Sequence, residues 1–416
     1  MNIVYANSRG ELFDSDLLMA AGRSGEDMTD VTEVEWIALP EGASMVMLPE
    51  TRALGFDKAG KVCAMQKEYH AVGALLPQGY TRLYLPAYVK TGDTPFPLFG
   101  YTAVGFDKGT FYVAAHRTDQ PSLWDPSQYD DTKEVRAKVQ DLIETHPQNR
   151  LYDHLQTCAM HYECVTSRNT FFGKQEGALP VSGTCNAGCV GCISEQPDDS
   201  GFPSPQTRLT VRPTVEEMAD LMITHLTSAG PSGIISFGQG CEGEPMLRGR
   251  EMAQAIMRTR AAISTGYINA NTNAGLTSQV KAVVDAGLDL MRVSTISARD
   301  DHYNAYYRPR GYTLKDVEAS ACYASEHGVI VSLNYLVFPG VTDREEEIEA
   351  MIGFISRTGV RLVQMRNLNI DPDYYLNLVP NRNSERFGML SMMDILKQEC
   401  PGLRIGSYTH TPNWFD

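Results

Sequence analysis

The sequence predicts an α/β fold in which a partial (βα)6 TIM-like barrel follows an N-terminal β-rich domain. Two observations predict it. From about residue 178 onward, six apolar, strand-like runs alternate with helix-like segments, and such alternation implies a parallel sheet that is curved or closed. Before about residue 131, short strand-like runs are instead separated by turns, which favours hairpins.

The second region divides into alternating strand-like and helix-like segments. Its strand-like runs lie near 178–183, 232–237, 266–271, 289–295, 329–337 and 360–367. Its helix-like segments lie near 214–228, 247–262, 276–286, 313–327, 342–358 and 384–398. Thr214 and Glu217 form a plausible capping box at the first of these helices. In a parallel sheet of this kind the active site lies at the carboxyl ends of the strands, so we expect a site in the loops that follow them.

The first region reads as short strands near 35–39, 44–48, 82–85 and 110–113. The tetrapeptide Gly-Phe-Asp-Lys occurs at Gly55–Lys58 and Gly105–Lys108, and its Gly and Asp predict hairpin turns. Trp124–Asp131 is rich in Asp, Pro and Ser and is interpreted as a linker. These features divide the chain into a recognition or cover domain, a helical connector, the partial barrel and a C-terminal helix with tail, at residues 1–131, 132–177, 178–370 and 371–416.

Composition excludes several classes of protein. The 416 residues carry a formal net charge of −15 and no dense basic run, so a nucleic acid is a disfavoured partner. No cationic segment followed by an apolar one begins the chain, and no apolar stretch approaches a membrane span. The nine cysteines are odd in number and three are crowded together, which favours metal ligation over disulfides. We expect a soluble, cytoplasmic protein.

Three cysteines follow the first strand of the predicted barrel. Cys185, Cys189 and Cys192 in "TCNAGCVGC" have the spacing C-x3-C-x2-C. Three thiolates on one loop can hold three irons of a 4Fe-4S cluster and leave the fourth iron without a protein ligand. Structural zinc is the alternative, but zinc usually takes four ligands in two pairs, and no second pair follows at suitable spacing. Three unligated thiols are the remaining alternative.

This spacing at the end of the first strand of six strand–helix units resembles the radical S-adenosylmethionine (radical SAM) superfamily. The resemblance covers about residues 178–370. It implies that S-adenosylmethionine chelates the open iron, that an electron from the cluster splits its sulfonium, and that a 5′-deoxyadenosyl radical then abstracts hydrogen from a substrate. It also implies a small electron donor such as flavodoxin or ferredoxin. The superfamily commonly has an aromatic residue before the third cysteine, where this chain has Gly191, so adenine packing must come from elsewhere.

The segment "SFGQGCEGEP" admits two interpretations. Gly238–Gly243 fits G-x-G-x-x-G, the fingerprint of a dinucleotide-binding loop. That interpretation also needs an acidic residue at the end of the next strand, where this chain has Asn271-Thr272-Asn273. The superfamily resemblance instead implies a Gly-Gly-Glu-Pro-like turn that binds the methionine amino group, here Gly243-Glu244-Pro245 with Glu242 replacing the first glycine. A carboxylate facing an ammonium makes a strong charge-assisted hydrogen bond.

Polar residues at other strand ends fit the same assignment. The resemblance implies that Asn273, Ser294 and Asn334 contact the methionine carboxylate and the ribose; each could equally be a satisfied polar group at a strand end. Arg292 and Arg366 could grip a carboxylate or pair with an acid inside the barrel. The tyrosines of "HYNAYYRPRGY" could line a substrate mouth or form a packed loop.

Three further cysteines, Cys158, Cys164 and Cys241, precede the cluster loop or lie beside the Glu-Pro turn. They could form an auxiliary metal site, or Cys241 could act as a hydrogen-donating catalytic thiol; ordinary buried cysteines are the alternative. No motif identifies the substrate, and we favour a peptide or protein side chain over a small molecule as the substrate. The rival functions are an iron–sulfur redox or binding protein without turnover and a dinucleotide-dependent oxidoreductase.

Overall fold

The computed structural model describes residues 1–119, 126–198, 200–380 and 383–415. Trp124 and Asp125 of the predicted linker lie outside the described residues. Its remainder contains a 3-10 turn, Pro126–Tyr129, and ends at Asp131, whose side chain caps the next helix. Within the described ranges the strands form two sheets, one antiparallel and one parallel.

The antiparallel sheet lies in the first part of the chain and, within the described residues, has fourteen strands. They are β1 (Asn2–Ala6), β2 (Leu12–Ser24), β3 (Asp27–Asp30), β4 (Trp36–Ala38), β5 (Ser44–Met47), β6 (Thr51–Phe56), β7 (Val62–Ala64), β8 (His70–Leu75), β9 (Tyr80–Arg82), β10 (Leu85–Pro86), β11 (Tyr88–Lys90), β12 (Tyr101–Thr102), β13 (Val104–Asp107) and β14 (Thr110–Arg117). The N-terminal β-rich prediction is therefore confirmed.

Both Gly-Phe-Asp-Lys segments form hairpins. The first joins β6 to β7, with Phe56 opposite Val62, and the second joins β13 to β14, with Asp107 opposite Thr110. Lys108 and Gly109 both have positive φ, as a two-residue turn of the twisted hairpin requires.

Three helices connect the sheets: α1 (Thr132–Thr145), α2 (Arg150–Met160) and α3 (Val165–Phe172). The remaining helices are α4 (Val215–Ala229), α5 (Gly249–Ala262), α6 (Thr277–Asp285), α7 (Asp300–Tyr307), α8 (Leu314–Glu326), α9 (Glu345–Thr358), α10 (Pro372–Leu378) and α11 (Met389–Glu399). The predicted capping box is present at α4, because Thr214 and Glu217 satisfy each other's backbone N–H groups.

The parallel sheet runs in chain order through β15 (Glu176–Leu179), β16 (Ile234–Phe237), β17 (Tyr267–Thr272), β18 (Leu290–Thr295), β19 (Ile330–Val337), β20 (Leu362–Asn367) and β21 (Arg404–Gly406). The α/β fold with a parallel sheet is confirmed, and all six predicted strands are present. The prediction of six strands was too low, because β21 extends the sheet. At three residues β21 is too short to show a hydrophobic period, and the chain after residue 370 was assigned only a helix and tail.

The antiparallel sheet packs against the carboxyl ends of the last parallel strands. The backbone N–H of Arg82 donates to Asn367 Oδ1 at 2.9 Å, and Asn367 Nδ2 donates to the Tyr80 carbonyl at 3.0 Å. The fully buried Arg82 guanidinium donates to the Leu368 carbonyl at 2.9 Å. Gly25 N–H donates to the Pro339 carbonyl just beyond β19 at 2.9 Å. The first part of the chain therefore covers the edge where β19 and β20 end. Among the described residues no helix is long and apolar enough to cross a membrane.

One carboxylate, Asp371, fastens this contact. Its side chain is fully buried and accepts from Lys90 Nζ at 2.6 Å and from Phe96 N–H at 2.8 Å. It also caps α10 by accepting from the backbone N–H groups of Asp373 and Tyr374. The same side chain thus holds a helix end and the antiparallel sheet together.

We expect Asp371→Ala to lower the free energy of unfolding by about 3 kcal/mol, because it leaves the Lys90 ammonium and the Phe96 N–H without their acceptor. Denaturant unfolding should show the antiparallel sheet melting earlier than the rest. Asp93→Ala, at an exposed position of the same segment, is the control and should change little. An unchanged unfolding curve for Asp371→Ala would contradict this account of the contact.

Candidate active site

The cysteine loop leaves β15 and is fixed by the segment that follows β18. Gly188 N–H donates to the Tyr307 carbonyl at 2.9 Å and Val190 N–H to the Tyr306 carbonyl at 3.0 Å. The Tyr306 and Tyr307 side chains are buried. The structure therefore places these tyrosines as a packed support beneath the cysteines. A Cβ at Gly191 would meet the Tyr306 hydroxyl at 2.8 Å, which explains why no aromatic side chain stands at that position.

The three thiols of this loop lie in a partly buried pocket. Burial raises the pKa of Cys185 to about 11 and raises that of Cys189 well above its usual range, with the neighbouring thiols adding to the second effect. Arg208 Nη2 lies 3.6 Å from Cys192 Sγ, and Ser194 Oγ lies 3.5 Å from it. Thiols that resist ionisation by burial become thiolates when a metal supplies positive charge, so this donor set fits an iron–sulfur cluster.

The Gly243-Glu244 turn is joined directly to the cysteine loop. Gly243 N–H donates to the Ser182 carbonyl at 2.7 Å, and Glu244 N–H donates to the Thr184 carbonyl at 2.8 Å, immediately before Cys185. A Cβ at position 243 would collide with the Thr184 carbonyl oxygen, so only glycine allows this approach. The structure therefore brings together two motifs that lie about sixty residues apart in the chain.

Glu242, which stands where the family turn has a glycine, ties the first two strand-end loops together. Its Oε2 accepts from the N–H groups of Val181 and Ser182 at 2.7 and 2.8 Å. Its Oε1 accepts from those of Gly238 and Gln239 at 2.7 and 2.9 Å. The side chain is 4% exposed, and burial raises its pKa to about 7 against the opposing effect of these four donors. From the sequence alone, Glu242 is only a replacement for the first glycine of the family turn.

Glu244 is oriented by the end of β17. Its Oε1 accepts from Met246 N–H at 3.0 Å and from the Thr272 hydroxyl, and its Oε2 accepts from Asn273 N–H at 2.8 Å. Burial raises the pKa of this carboxyl group. A carboxylate has about four acceptor positions, so three protein donors leave room for one further donor.

Asn273 and the cysteine loop meet through a pair of amides. Asn273 Nδ2 donates to Asn186 Oδ1 at 2.7 Å, and both side chains are buried. The Asn186 Nδ2 group finds no acceptor among the described residues. A buried amide donor without a partner, one residue after Cys185, suits an acceptor supplied by a bound molecule.

Ser294 and Asn334 are direct neighbours across β18 and β19, and Asn334 lies opposite Gln364 on β20. By strand alternation they share a face with Arg292 and Arg366. Arg292 and Arg366 each donate to Gln364 Oε1, at 3.1 and 2.9 Å. Arg292 Nη2 also lies 3.6 Å from Glu176, so one interior carboxylate faces two guanidiniums.

Two donors on this face lack partners among the described residues, Gln364 Nε2 and Arg366 Nε. Burial, followed by the positive charge of Arg292, lowers the pKa of Arg366 to about 9. An anionic group bound there would pair with both donors and would offset the excess positive charge.

The structure contradicts the interpretation of Gly238–Gly243 as a dinucleotide-binding loop. Gly238 has φ +79, and a Cβ there would collide with the Asn271 carbonyl oxygen, so its glycine serves sheet packing. The loop then runs through a 3-10 turn, Pro245–Arg248, and α5 begins only at Gly249. The fingerprint requires its glycines to open the helix that receives the pyrophosphate, and here they do not.

Cys241, the candidate catalytic thiol, is 5% exposed. Its side chain lies beside Cys158 and His154, with the three potential ligand atoms within 4.8 Å of one another. The Cys241 carbonyl accepts from Leu209 N–H at 2.8 Å. The structure therefore brings Cys241 next to Cys158 of α2 and adds His154, which the sequence analysis did not name, to this group.

Residues 179–354 match the model of the Radical SAM superfamily. A probable dual-specificity RNA methyltransferase RlmN of Chlorobium luteolum (strain DSM 273 / BCRC 81028 / 2530) is 26% identical over 181 residues, which are 41% of this chain. The match covers 48% of that protein, so the chain spans about half its length.

Among solved structures, Streptococcus suis SuiB bound to precursor peptide SuiA is similar with a TM-score of 0.41 and 14% identity, over 60% of this chain and 54% of that one. Methylornithine synthase (PylB) is similar with a TM-score of 0.38 and 13% identity, over 66% and 74%. Residues 179–354 contain both the cysteine loop and the turn that contacts it, and they are a radical SAM domain, whose cofactors are a 4Fe-4S cluster and S-adenosylmethionine.

Proposed function

We propose that this chain cleaves S-adenosylmethionine reductively and directs the resulting 5′-deoxyadenosyl radical to a hydrogen atom of a substrate. The observation that carries the proposal is the direct hydrogen bond from Glu244 N–H to the Thr184 carbonyl, beside Cys185. It joins the turn that would bind the methionine amino group to the loop that would bind the cluster. A 4Fe-4S cluster with one open iron supplies the chelation site and the electron for this cleavage.

The residues of the site have separable tasks in this proposal. Cys185, Cys189 and Cys192 hold three irons. Glu244, kept in place by its three protein donors, accepts from the cofactor's ammonium through its remaining acceptor position. Gly243 allows the close approach of the two loops. The free Asn186 Nδ2 donates to a cofactor oxygen, and Asn273 orients it.

Ser294 and Asn334 lie further along the edge formed by the strand ends, and we propose that they contact the ribose or the methionine carboxylate. The parallel sheet would then curve as a partial barrel, with the domain boundaries at residues 131, 177 and 370. The antiparallel sheet would cover its open side, which is supported by the contacts of Arg82 with the end of β20 and of Phe96 with Asp371 at the start of α10. Such a cover excludes water from a reactive radical.

The substrate would enter the face that carries Arg292 and Arg366. The two guanidiniums, with the carboxylate of Glu176 beside Arg292, and Gln364 Nε2, which has no partner among the described residues, favour a substrate with an anionic group, in a peptide or in a small molecule. We place the reaction in the cytoplasm with a flavodoxin or ferredoxin as electron donor. This is supported by the nine cysteines, all of which are free, because such thiols suit a reducing compartment.

The test uses the anaerobically reconstituted and reduced chain with S-adenosylmethionine. It should release 5′-deoxyadenosine and methionine slowly in the absence of substrate. Glu244→Gln should keep about four irons per chain but bind the cofactor more weakly by about 1–1.5 kcal/mol, because a charge-assisted hydrogen bond becomes a neutral one. Glu216→Gln, on the exposed surface of α4, is the matched control and should behave like the unaltered chain.

Cofactor affinity by equilibrium dialysis and iron content together separate the rival functions. An iron–sulfur carrier without turnover would keep its cluster and release no 5′-deoxyadenosine. If Glu244→Gln bound the cofactor normally with its iron intact, the assignment of this carboxylate would be wrong.

A further inference from the structure

A second group of metal-type side chains lies outside the cluster loop. His154 and Cys158 are four residues apart on α2 and therefore project from the same side of that helix. Cys241, in the loop after β16, reaches the same point from the sheet. Of the described residues, these three bring His Nε2 or Nδ1 and two Sγ atoms within 4.8 Å of one another.

The spacing suits a single ion. Zinc bonds of about 2.3 Å to sulfur and about 2.0 Å to nitrogen, at tetrahedral angles, place nitrogen and sulfur ligands roughly 3.6 Å apart. His154 Nε2 lies 3.7 Å from Cys158 Sγ. Cys158 and Cys241 are buried and His154 is half-buried, so two thiols face each other in a dry site with an imidazole at its outer side.

We propose that His154, Cys158 and Cys241 bind one zinc ion, with a solvent molecule in the fourth position on the side of His154. Two thiolates and one imidazole are a ligand set that zinc accepts, and three protein ligands leave that position open. This site is separate from the iron–sulfur cluster and goes beyond the proposed function, since it requires neither S-adenosylmethionine nor an electron donor.

The ion would fasten the connector to the cofactor loops. Cys241 directly precedes Glu242, whose carboxylate holds the loops after β15 and β16. The Cys241 carbonyl accepts from Leu209 N–H at 2.8 Å, and the neighbouring Arg208 donates toward Cys192 Sγ. A zinc bond to Cys241 would therefore fix the backbone that positions both Glu242 and the third cysteine. We assign the ion a positioning role.

Metal analysis of the full chain tests the proposal. After anaerobic reconstitution with iron and sulfide and addition of zinc, the chain should hold about four irons and about one zinc after desalting. Cys158→Ser and Cys241→Ser should each lose the zinc and keep the irons. Cys400→Ser, at a buried cysteine on the end of α11, is the control and should keep both. Zinc retained at full stoichiometry in both variants would overturn the site.

Alkylation provides a second test that needs no variant. Because both thiols are buried, the alkylation with iodoacetamide is carried out in a urea concentration that opens them to the reagent; there Cys158 and Cys241 should resist labelling in the zinc-loaded chain and become reactive after a chelator, as mapped by mass spectrometry. Added Zn²⁺ should restore at least a tenfold protection, while Cys63 stays equally reactive throughout. Equal labelling of Cys158 and Cys241 with and without zinc, or a disulfide between them in chain purified without oxygen, would overturn the proposal.

Discussion

Replacing Cys185, Cys189 and Cys192 together by alanine should abolish the visible absorption of the reconstituted cluster and lower bound iron from about four per chain to near zero. The three thiols lie on one loop that the Tyr306 and Tyr307 carbonyls hold in place. Because burial raises the pKa of Cys185 and Cys189, these two thiols become thiolates only when they bind the metal. Alanine offers no ligand atom in their place. Iron and sulfide analysis with the absorption spectrum measures the loss.

A matched control distinguishes loss of ligands from loss of fold. Cys158→Ala together with Cys241→Ala removes two thiols close to the same region and should leave the four irons in place. Far-ultraviolet circular dichroism should show the same helix content in both variants. If the variant that lacks Cys185, Cys189 and Cys192 kept its full iron content, other cysteines would hold the cluster and the site as described would be wrong.

Much of the fold could be predicted because the hydrophobic period and the length of a helix or strand are local properties of the sequence. The first six parallel strands carry apolar runs, and helices such as α4 and α9 carry a 3.6-residue period, so their positions agree with the structure within a few residues. Short elements lack such a signal. β21 has three residues and α10 has seven; β21 pairs with β20, about forty residues earlier in the chain, and α10 is capped by Asp371, the residue directly before it.

The candidate site also has parts that are local in sequence and parts that only folding brings together. The cysteine spacing and the Gly-Glu-Pro turn are local in sequence, so a family resemblance could point to them. The link between them is not local: Gly243 approaches Thr184, and Glu242 binds four N–H groups on two loops. Likewise His154 was never singled out, because its partner Cys241 lies on another element. Contacts made by backbone groups leave no residue-type signal, and only the folded chain shows them.

Glu242→Ala should cause the largest effect of any single change in the cofactor loops. It removes an acceptor from the N–H groups of Val181, Ser182, Gly238 and Gln239 at once. Hydrogen bonds to a charged group contribute about 1.5–3 kcal/mol each and do not add fully, so we expect the free energy of local opening to fall by about 4–6 kcal/mol. Hydrogen exchange of peptides covering residues 179–184 and 236–241 measures that opening. Binding of S-adenosylmethionine should weaken beyond detection, while Cys185, Cys189 and Cys192 remain to hold iron.

The pH dependence gives an independent test with Glu242→Gln as the comparison. Burial raises the pKa of Glu242 from 4.5 to about 7, so between these values the closed loops hold a proton that the opened loops release. The stability from this proton is fully present below pH 4.5 and is lost as pH rises through 7, a change of about 3 kcal/mol. Glutamine does not titrate, so the opening free energy of the unaltered chain should fall by about that amount relative to Glu242→Gln between pH 4.5 and 8. A difference that stays constant over this range, after correction for intrinsic exchange rates, would show that the four N–H donors keep the carboxylate ionised throughout and that burial does not dominate its protonation.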